Sequence, residues 1–113
     1  MKKIYLACPY SHPDSLVRED RVQRVDKKAA ELMKEGYRVF SPISHSHGIS
    51  FHCGEDYNDL DFRMNQDLWI LDMCDELWIF CIEGWNKSKG VGVEINRAVS
   101  SGKRAVFTYE DNT

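Results

Sequence analysis

The sequence lacks a long apolar run, an excess of basic residues and any cysteine pair spaced as C-x-x-C. The first apolar run, Ile4 to Cys8, is too short for a secretory signal or a membrane span. The formal net charge of −3 does not favour a nucleic acid polymer as a partner, because polyanion binders normally carry a basic surplus. With four cysteines and no such spacing, a disulfide framework is not expected. We therefore predict a cytoplasmic protein, not bound to membranes, whose partner is a small molecule.

Internal repeats, low-complexity tracts and linkers are also lacking. The chain has 113 residues, of which 42% are hydrophobic and 29% charged, a composition typical of a folded globular protein. A chain of this length has room for one hydrophobic core. One domain covering residues 1–113 is predicted.

Apolar residues recur along the chain at two different spacings. Val22, Val25, Ala29 and Leu32 follow helical spacing, whereas the apolar run from Leu77 to Ile82 is typical of a strand buried on both sides. The predicted strands are 3–8, 37–40, 77–82 and 105–108, the predicted helices are 15–34, 60–74 and 90–101, and 43–58 is predicted as a loop with at most a short helical turn. This alternation predicts an α/β fold, a single doubly wound flavodoxin- or Rossmann-like domain with a parallel sheet of about four to five strands.

Polar segments follow three of the predicted strands. Ligands of doubly wound sheets bind beyond the carboxyl ends of the strands, which selects segments 9–15, 41–52 and 83–90. The last leads into Ser88-Lys89-Gly90-Val91-Gly92-Val93-Glu94, where two glycines at a helix start would let a ligand approach the backbone. The helix dipole would keep Glu94 ionised at neutral pH. On spacing alone, complementing that dipole or pairing with Arg97 is the more common role of such a glutamate.

Asp67 is the second candidate carboxylate. It flanks the apolar stripe of the helix predicted at 60–74, so it could reach the sheet edge. Glycosidic chemistry needs two carboxyls in different environments, one for the developing positive charge at the anomeric carbon and one for the leaving group. The alternative is that Asp67 has no catalytic role and lies on a solvated helix face, as Asp59, Asp61 and Asp72 are expected to do. Tyr5 lies between Ile4 and Leu6 in the first predicted strand, and this pattern by itself predicts only that Tyr5 is a core aromatic.

Four segments together resemble the nucleoside 2-deoxyribosyltransferase superfamily. They are Lys3-Ile4-Tyr5-Leu6-Ala7-Cys8-Pro9, Asn65-Gln66-Asp67-Leu68, Asp75-Glu76-Leu77-Trp78-Ile79 and Ser88-Lys89-Gly90-Val91-Gly92-Val93-Glu94-Ile95-Asn96-Arg97-Ala98. The resemblance covers nearly the whole chain in the family's order. Segment 41–47 is more similar to compact bacterial and phage members of uncharacterised activity.

The resemblance implies a role for each matching residue. Glu94 corresponds to the catalytic glutamate, Asp67 to the aspartate near the leaving base, and Tyr5 to the tyrosine that orients the glutamate. Ser88 falls where hydrolases of the superfamily have a phosphate-contacting serine and transferases an aspartate, although a helix N-cap explains Ser88 equally well. Asn112 corresponds to the position that completes a neighbouring subunit's pocket, which implies a homodimer or higher homo-oligomer.

Further substrate-binding residues come from the predicted loops. The loop at 9–15 lacks the glycine- and arginine-rich phosphate loop of the hydrolases, so Tyr10, Ser11, His12 and Arg18 would have to substitute for it. Trp85 could stack on a base, whereas Trp69 and Trp78 fit core packing better. The complete set of predicted substrate-binding residues is Pro9, Tyr10, Ser11, His45, His47, Trp85, Ser88, Gly90, Gly92 and Asn112.

The predicted function is cleavage of the N-glycosidic bond of a (deoxy)nucleoside or nucleoside 5′-monophosphate, by hydrolysis or base transfer, through a Glu94 nucleophile and without a cofactor or metal. One alternative is a nucleotide-binding or sensing module without turnover. Another is a metal-dependent hydrolase with His45, His47, His52 and Cys53 as ligands, although no recognised zinc spacing is present.

Overall fold

The computed structural model describes residues 1–111, which form alternating strands and helices. The strands are β1 (Lys3–Ala7), β2 (Arg38–Phe40), β3 (Glu76–Phe80) and β4 (Arg104–Thr108). The helices are α1 (Ser15–Lys34), α2 (Pro42–Ser50), α3 (Leu60–Met73) and α4 (Lys89–Ser100), and short 3-10 turns lie at Gly54–Asn58 and Trp85–Lys87.

Within residues 1–111, the four strands form one sheet in the order β2-β1-β3-β4, and every neighbouring pair is parallel. From β1 the chain first crosses to β2 on one side and later returns to β3 on the other. The carboxyl ends of β1 and β3 therefore flank the point where the strand order reverses, which is where doubly wound folds bind ligands. The predicted α/β doubly wound fold is confirmed.

Alternation along β1 divides the core between the two faces of the sheet. Leu6 and Cys8 pack with the buried side of α1, including Val25 and Leu32. Tyr5 and Ala7 point to the opposite face, which is covered by α3 and α4 through residues such as Leu71, Val91 and Ala98. Because successive side chains of a strand point to opposite faces, Tyr5 is directed at the helix that carries Glu94.

Two predicted positions differ from the structure because of helical rotation. Trp69 was expected in the core, and the apolar spacing of the helix predicted at 90–101 places Val99 inward, but both are exposed, by 57% and 63%. Each residue of a helix is turned by about 100° from the one before it, so Val99 points away from the sheet beside the fully buried Ala98. Within residues 1–111, no helix combines the length and apolar character needed to cross a membrane.

The prediction of a loop over 43–58 is wrong for residues 43–50, which belong to α2, whereas residues 51–58 form turns and the 3-10 turn Gly54–Asn58. Pro42 occupies the start of α2, where its fixed φ suits a helix and its missing N–H costs no hydrogen bond. The helix is nine residues long and buries only Pro42, so it has no apolar period to detect. It lies against α1, and such short helices depend on packing more than on intrinsic propensity.

Candidate active site

Tyr5 and Glu94 form a hydrogen-bonded pair between the sheet and α4. Tyr5 lies at the centre of β1 and is fully buried, and its hydroxyl donates a short hydrogen bond to Glu94 Oε2. Glu94 is 4% exposed and shares the inward side of α4 with Val91 and Ala98. Burial and the Glu94 charge raise the pKa of Tyr5 far above its usual range, so Tyr5 remains a donor. The predicted core aromatic is thus also a partner of the candidate carboxyl.

The expectation that Glu94 is ionised at neutral pH is wrong for this structure. Burial raises the pKa of Glu94 to about 8, and the charge of Asp67 adds to the rise. The Tyr5 hydrogen bond and the charge of Arg63 act in the opposite direction without offsetting burial. Glu94 is the sixth residue of α4, whereas the helix dipole acts mainly within the first turn. Glu94 is therefore protonated at neutral pH in the ligand-free protein.

Asp67 lies on α3 and is only 9% exposed, whereas Asp59, Asp61 and Asp72 are exposed. The alternative of a solvated acidic face therefore does not apply to Asp67. Burial raises the pKa of Asp67 to about 6, and the nearby His45 and Arg63 act to lower it. Arg97, the other partner considered for Glu94, instead donates two hydrogen bonds to Asp72. Two carboxyls with raised pKa values thus interact at this face. Because their titrations are coupled, each proton is lost from the pair as a whole and not from one residue alone.

Asp67 lines a cleft of about 450 Å³, which we call the Asp67 cleft. Its other walls include His45, Tyr57 and Arg63, together with the exposed ring of Trp69. His45 packs its ring against Phe40, with 5.6 Å between the centroids. Glu94 is not among the side chains that line this cleft. Of the tryptophans, Trp69 was expected in the core and lines a cleft instead, while Trp78 packs on Tyr37 as expected.

A second cleft, of about 570 Å³, lies where the loop after β1 meets α1 and α2; we call it the Arg18 cleft. Tyr10, Ser11 and His47, three of the predicted substrate-binding residues, line it. The Tyr10 hydroxyl lies 2.9 Å from His47 Nδ1, and His47 Nε2 lies 2.9 Å from Glu19 Oε1. This chain of contacts fixes the ring of His47 and hence one wall of the cleft.

The two clefts share the side chains of Tyr57 and Arg63. Arg63 Nη1 donates a 2.8 Å hydrogen bond to Ser11 Oγ, and the guanidinium lies over the Tyr57 ring at 5.8 Å from its centroid. Its Nε is buried without a hydrogen-bond partner. The sequence interpretation missed Arg63. The available signal was its position four residues before Asp67 on one helix, a spacing that places two side chains on the same face.

The glycine-containing start of α4 lies close to α3. Ser88 caps α4, with its Oγ accepting a 3.2 Å hydrogen bond from the Val91 N–H, so the capping alternative is observed. A Cβ built on Gly90 would lie 3.6 Å from the Met64 side chain, an ordinary packing distance, and one on Gly92 would meet open space. Neither glycine lines the two clefts.

Three more predicted residues lie away from these clefts. Pro9 is fully buried, and its carbonyl oxygen accepts a hydrogen bond from the Cys8 thiol. Trp85 is partly buried and packs against Phe107, with 5.3 Å between ring centroids. Asn112 lies outside the described residues. Their assignments as substrate-binding residues stay predictions.

No group of three or more His, Cys, Asp or Glu side chains within residues 1–111 is arranged to hold a metal ion. His45 and His47 face different clefts, and His47 is committed to Tyr10 and Glu19. The metal-dependent alternative therefore lacks the ligand grouping that it requires.

Fold and site together define a doubly wound α/β domain with a buried tyrosine–carboxyl pair and a second carboxyl beside an open cleft. The chain belongs to the family described as a domain of unknown function (DUF1937), whose model matches residues 2–111. No curated protein shows a significant match to the chain. The family's description gives no activity, so the resemblance to nucleoside 2-deoxyribosyltransferases stays a prediction.

Proposed function

We propose that this protein cleaves the N-glycosidic bond of a (deoxy)nucleoside or nucleoside 5′-monophosphate, releasing the base to water or exchanging it for another base. The observation that carries the proposal is the hydrogen bond from Tyr5 to Glu94, with Asp67 near enough to raise the pKa of Glu94. The sequence resemblance to the nucleoside 2-deoxyribosyltransferase superfamily assigns the same three residues to the reaction. The proposal therefore rests on geometry and on resemblance together.

In the proposed reaction, a Glu94 oxygen attacks the anomeric carbon of the sugar. The bond from that carbon to the base nitrogen breaks, its electron pair leaves with the base, and Asp67 gives a proton to the base. Water then opens the glycosyl ester, leaving its hydroxyl on the sugar and returning a proton to Asp67. In transfer, a second base replaces water and returns its own N–H proton. Tyr5 holds Glu94 in position by donating to Oε2.

This reaction requires one proton on the pair, located on Asp67 while Glu94 is ionised. In the ligand-free protein the higher pKa of Glu94 places that proton on Glu94 instead. The reactive form is thus the less populated arrangement of the singly protonated pair. Because the pair holds one proton between about pH 6 and about pH 8, the rate of base release should follow a bell centred near neutral pH.

Access to Glu94 is the structural requirement of this proposal. Glu94 is 4% exposed and is not among the side chains that line the Asp67 cleft. A sugar bound in that cleft must therefore displace part of its wall before its anomeric carbon reaches Glu94. Arg63 lines the same wall and its Nε has no hydrogen bond to lose.

The test is base release from a panel of nucleosides and 5′-monophosphates, with and without a free acceptor base, followed by chromatography of the products. Glu94→Gln keeps the size and the neutral form of the side chain and should reduce turnover by at least about 1000-fold. Glu35→Gln is the matched control, because Glu35 is exposed at the far end of α1. Base release by Glu94→Gln within tenfold of the natural protein would overturn the assignment.

A second candidate function is nucleotide binding without turnover. The near-complete burial of Glu94 favours it, since a protonated, enclosed carboxyl can serve as a fixed hydrogen-bonding partner of Tyr5. Under this alternative, nucleotides raise the midpoint of thermal unfolding, yet no member of the panel loses its base. The same panel therefore separates the two functions.

A further inference from the structure

The walls of the Arg18 cleft carry an excess of positive charge in a chain whose net charge is −3. Arg18 and Arg63 both line it. The one acidic residue among its lining side chains, Glu19, already accepts from His47 Nε2 at 2.9 Å. The amino end of α1, which begins at Ser15, lies in the same wall. A cleft of about 570 Å³ with this lining suits an oxyanion better than a neutral or cationic group.

Arg63 has hydrogen-bonding capacity that the protein does not use. Its Nη1 donates to Ser11 Oγ, while its Nε is buried without any partner. Leaving a donor of a charged group unpaired is unfavourable, so such atoms in native proteins call for an explanation. A guanidinium that shifts slightly toward a bound oxyanion can present Nε and a terminal nitrogen together, the bidentate geometry that arginine forms with phosphate.

Arg63 also connects this cleft to the candidate carboxyls. It lines the Asp67 cleft as well, and its charge acts to lower the pKa of both Asp67 and Glu94. An anion bound to Arg63 would oppose that effect and help Asp67 to keep the proton that the leaving base needs. One ligand with an anionic end in the Arg18 cleft and its remainder in the Asp67 cleft would meet Arg63 between the two.

We infer that the Arg18 cleft is a binding site for a phosphate-type oxyanion held between Arg63 and Arg18, and that this anion is the phosphate of the molecule occupying the Asp67 cleft. The oxyanion site stands on the residues of the cleft alone. The link to the Asp67 cleft rests on the proposed function, and it selects nucleoside monophosphates over nucleosides as the substrate class.

Calorimetric titrations at constant ionic strength test both parts, using inorganic phosphate, a nucleoside 5′-monophosphate and the matching nucleoside. The protein should bind inorganic phosphate, and it should bind the monophosphate at least about tenfold more tightly than the nucleoside. Arg63→Met should weaken binding of inorganic phosphate and of the monophosphate by about tenfold or more, and it should remove the preference for the monophosphate over the nucleoside. Arg38→Met is the matched control, because Arg38 is exposed at the amino end of β2, the opposite end of the sheet.

Circular dichroism and thermal unfolding establish that each variant is folded. If Arg63→Met does not fold, Arg18→Met takes its place, since Arg18 lies near the start of α1 on the rim of the cleft. The inference is overturned if inorganic phosphate does not bind, or if a folded arginine variant keeps the natural affinity for it. Phosphate binding that depends on Arg63, with equal affinities for nucleoside and monophosphate, supports the oxyanion site and overturns the link to the Asp67 cleft.

These results are independent of turnover. Phosphate binding that depends on Arg63, in a protein that releases no base from any substrate, would support the oxyanion site and contradict the glycosidic function. Base release with equal efficiency from nucleosides and monophosphates, unaffected by Arg63→Met, would support the glycosidic function and overturn the link between the oxyanion site and the Asp67 cleft.

Discussion

The face of the sheet covered by α1 is filled mainly by apolar side chains, with the carboxylate of Glu76 paired to Lys2 at its edge. The face covered by α3 and α4 encloses a tyrosine and two carboxyls. On the α1 face, Leu6 packs with Val25, Leu32 and Phe80. On the other face, Tyr5 lies one residue earlier in the same strand, and its hydroxyl donates a hydrogen bond to Glu94. The two faces thus have the same construction, a strand against a helix, with different chemistry inside.

The Tyr5–Glu94 pair and Asp67 are not required to build such a layer. The buried carboxyl of the α1 face, Glu76, lies at the start of β3 and is compensated by hydrogen bonds from Lys2 and from Trp78 Nε1. An uncompensated buried carboxyl costs free energy that an apolar residue would not. Burial holds the pKa of Glu94 near 8 and that of Asp67 near 6. Displaced pKa values at a cleft of this kind are typical of functional sites.

The two faces should differ most in the pH dependence that they give to the free energy of unfolding. The pKa of Glu94 rises from 4.5 to about 8 on folding, so the folded state binds the proton more tightly. The stabilisation this provides is complete below about pH 4.5 and is lost as the pH rises through about 8. Glu94→Gln should abolish this loss, on the order of 4 kcal/mol, because one pKa unit corresponds to about 1.4 kcal/mol. Urea unfolding between pH 4.5 and pH 9 measures it.

Leu6→Ala on the α1 face is the control for that experiment. Removing a fully buried leucine should lower the free energy of unfolding by about 2–5 kcal/mol. The loss should be the same at every pH, since Leu6 packs among apolar side chains. If the free energy of unfolding of Glu94→Gln fell with pH as steeply as that of the natural protein, burial of the Glu94 carboxyl would not be what distinguishes the faces.

A smaller effect is expected from Tyr5→Phe. The Tyr5 hydrogen bond acts to lower the pKa of Glu94, so its removal should raise that pKa. The alkaline limb of the rate profile should therefore move from near pH 8 to higher pH by about one unit, the size expected for a hydrogen bond to a charged group. Initial rates of base release from pH 5 to pH 10 measure this shift.

Tyr37→Phe provides the comparison on the other face, because Tyr37 packs on Trp78 and belongs to the α1 cluster. Its rate profile should match that of the natural protein. An alkaline limb that stays in place in Tyr5→Phe, with the fold intact, would contradict the role of Tyr5 in setting the protonation of Glu94.

The fold was predictable because its elements carry strong periodic signals. The helix predicted at 15–34 matches α1 residue for residue, and the continuous apolar run after Glu76 identified the central strand β3. Helix α2 was missed because it buries only Pro42 and is held by α1. The helix forms because it packs against a segment that is distant in sequence. The spacing of apolar residues within 42–50 gives no sign of that packing.

The candidate site was predictable in its membership and less so in its electrostatics. The resemblance implied that Tyr5 orients Glu94, and the hydrogen bond between them agrees with it. Alternation along β1 by itself predicted only a core aromatic. The charge of Glu94 was predicted from the helix dipole, a local effect, and burial between α4 and the sheet outweighed it. Arg63 was missed because an arginine on an amphipathic helix is usually solvated, and only the folded loop after β1 places Ser11 within 2.8 Å of it.

The smallest effect concerns Ser88, for which a helix cap and a phosphate contact were equally good explanations. Ser88 Oγ accepts from the Val91 N–H, so Ser88→Ala should lower the free energy of unfolding by about 1 kcal/mol. Ser88→Asp should restore stability, since aspartate caps helices equally well.

The same variant also tests where the anion binds. Ser88 does not line the Arg18 cleft, so if the anion binds there, Ser88→Asp should bind a nucleoside monophosphate within about threefold of the natural affinity. A phosphate held at the start of α4 would instead be repelled by the new carboxylate and bind at least about tenfold more weakly. Denaturant unfolding and calorimetry of the two variants thus decide between the amino end of α4 and the Arg18 cleft as the position of the anion.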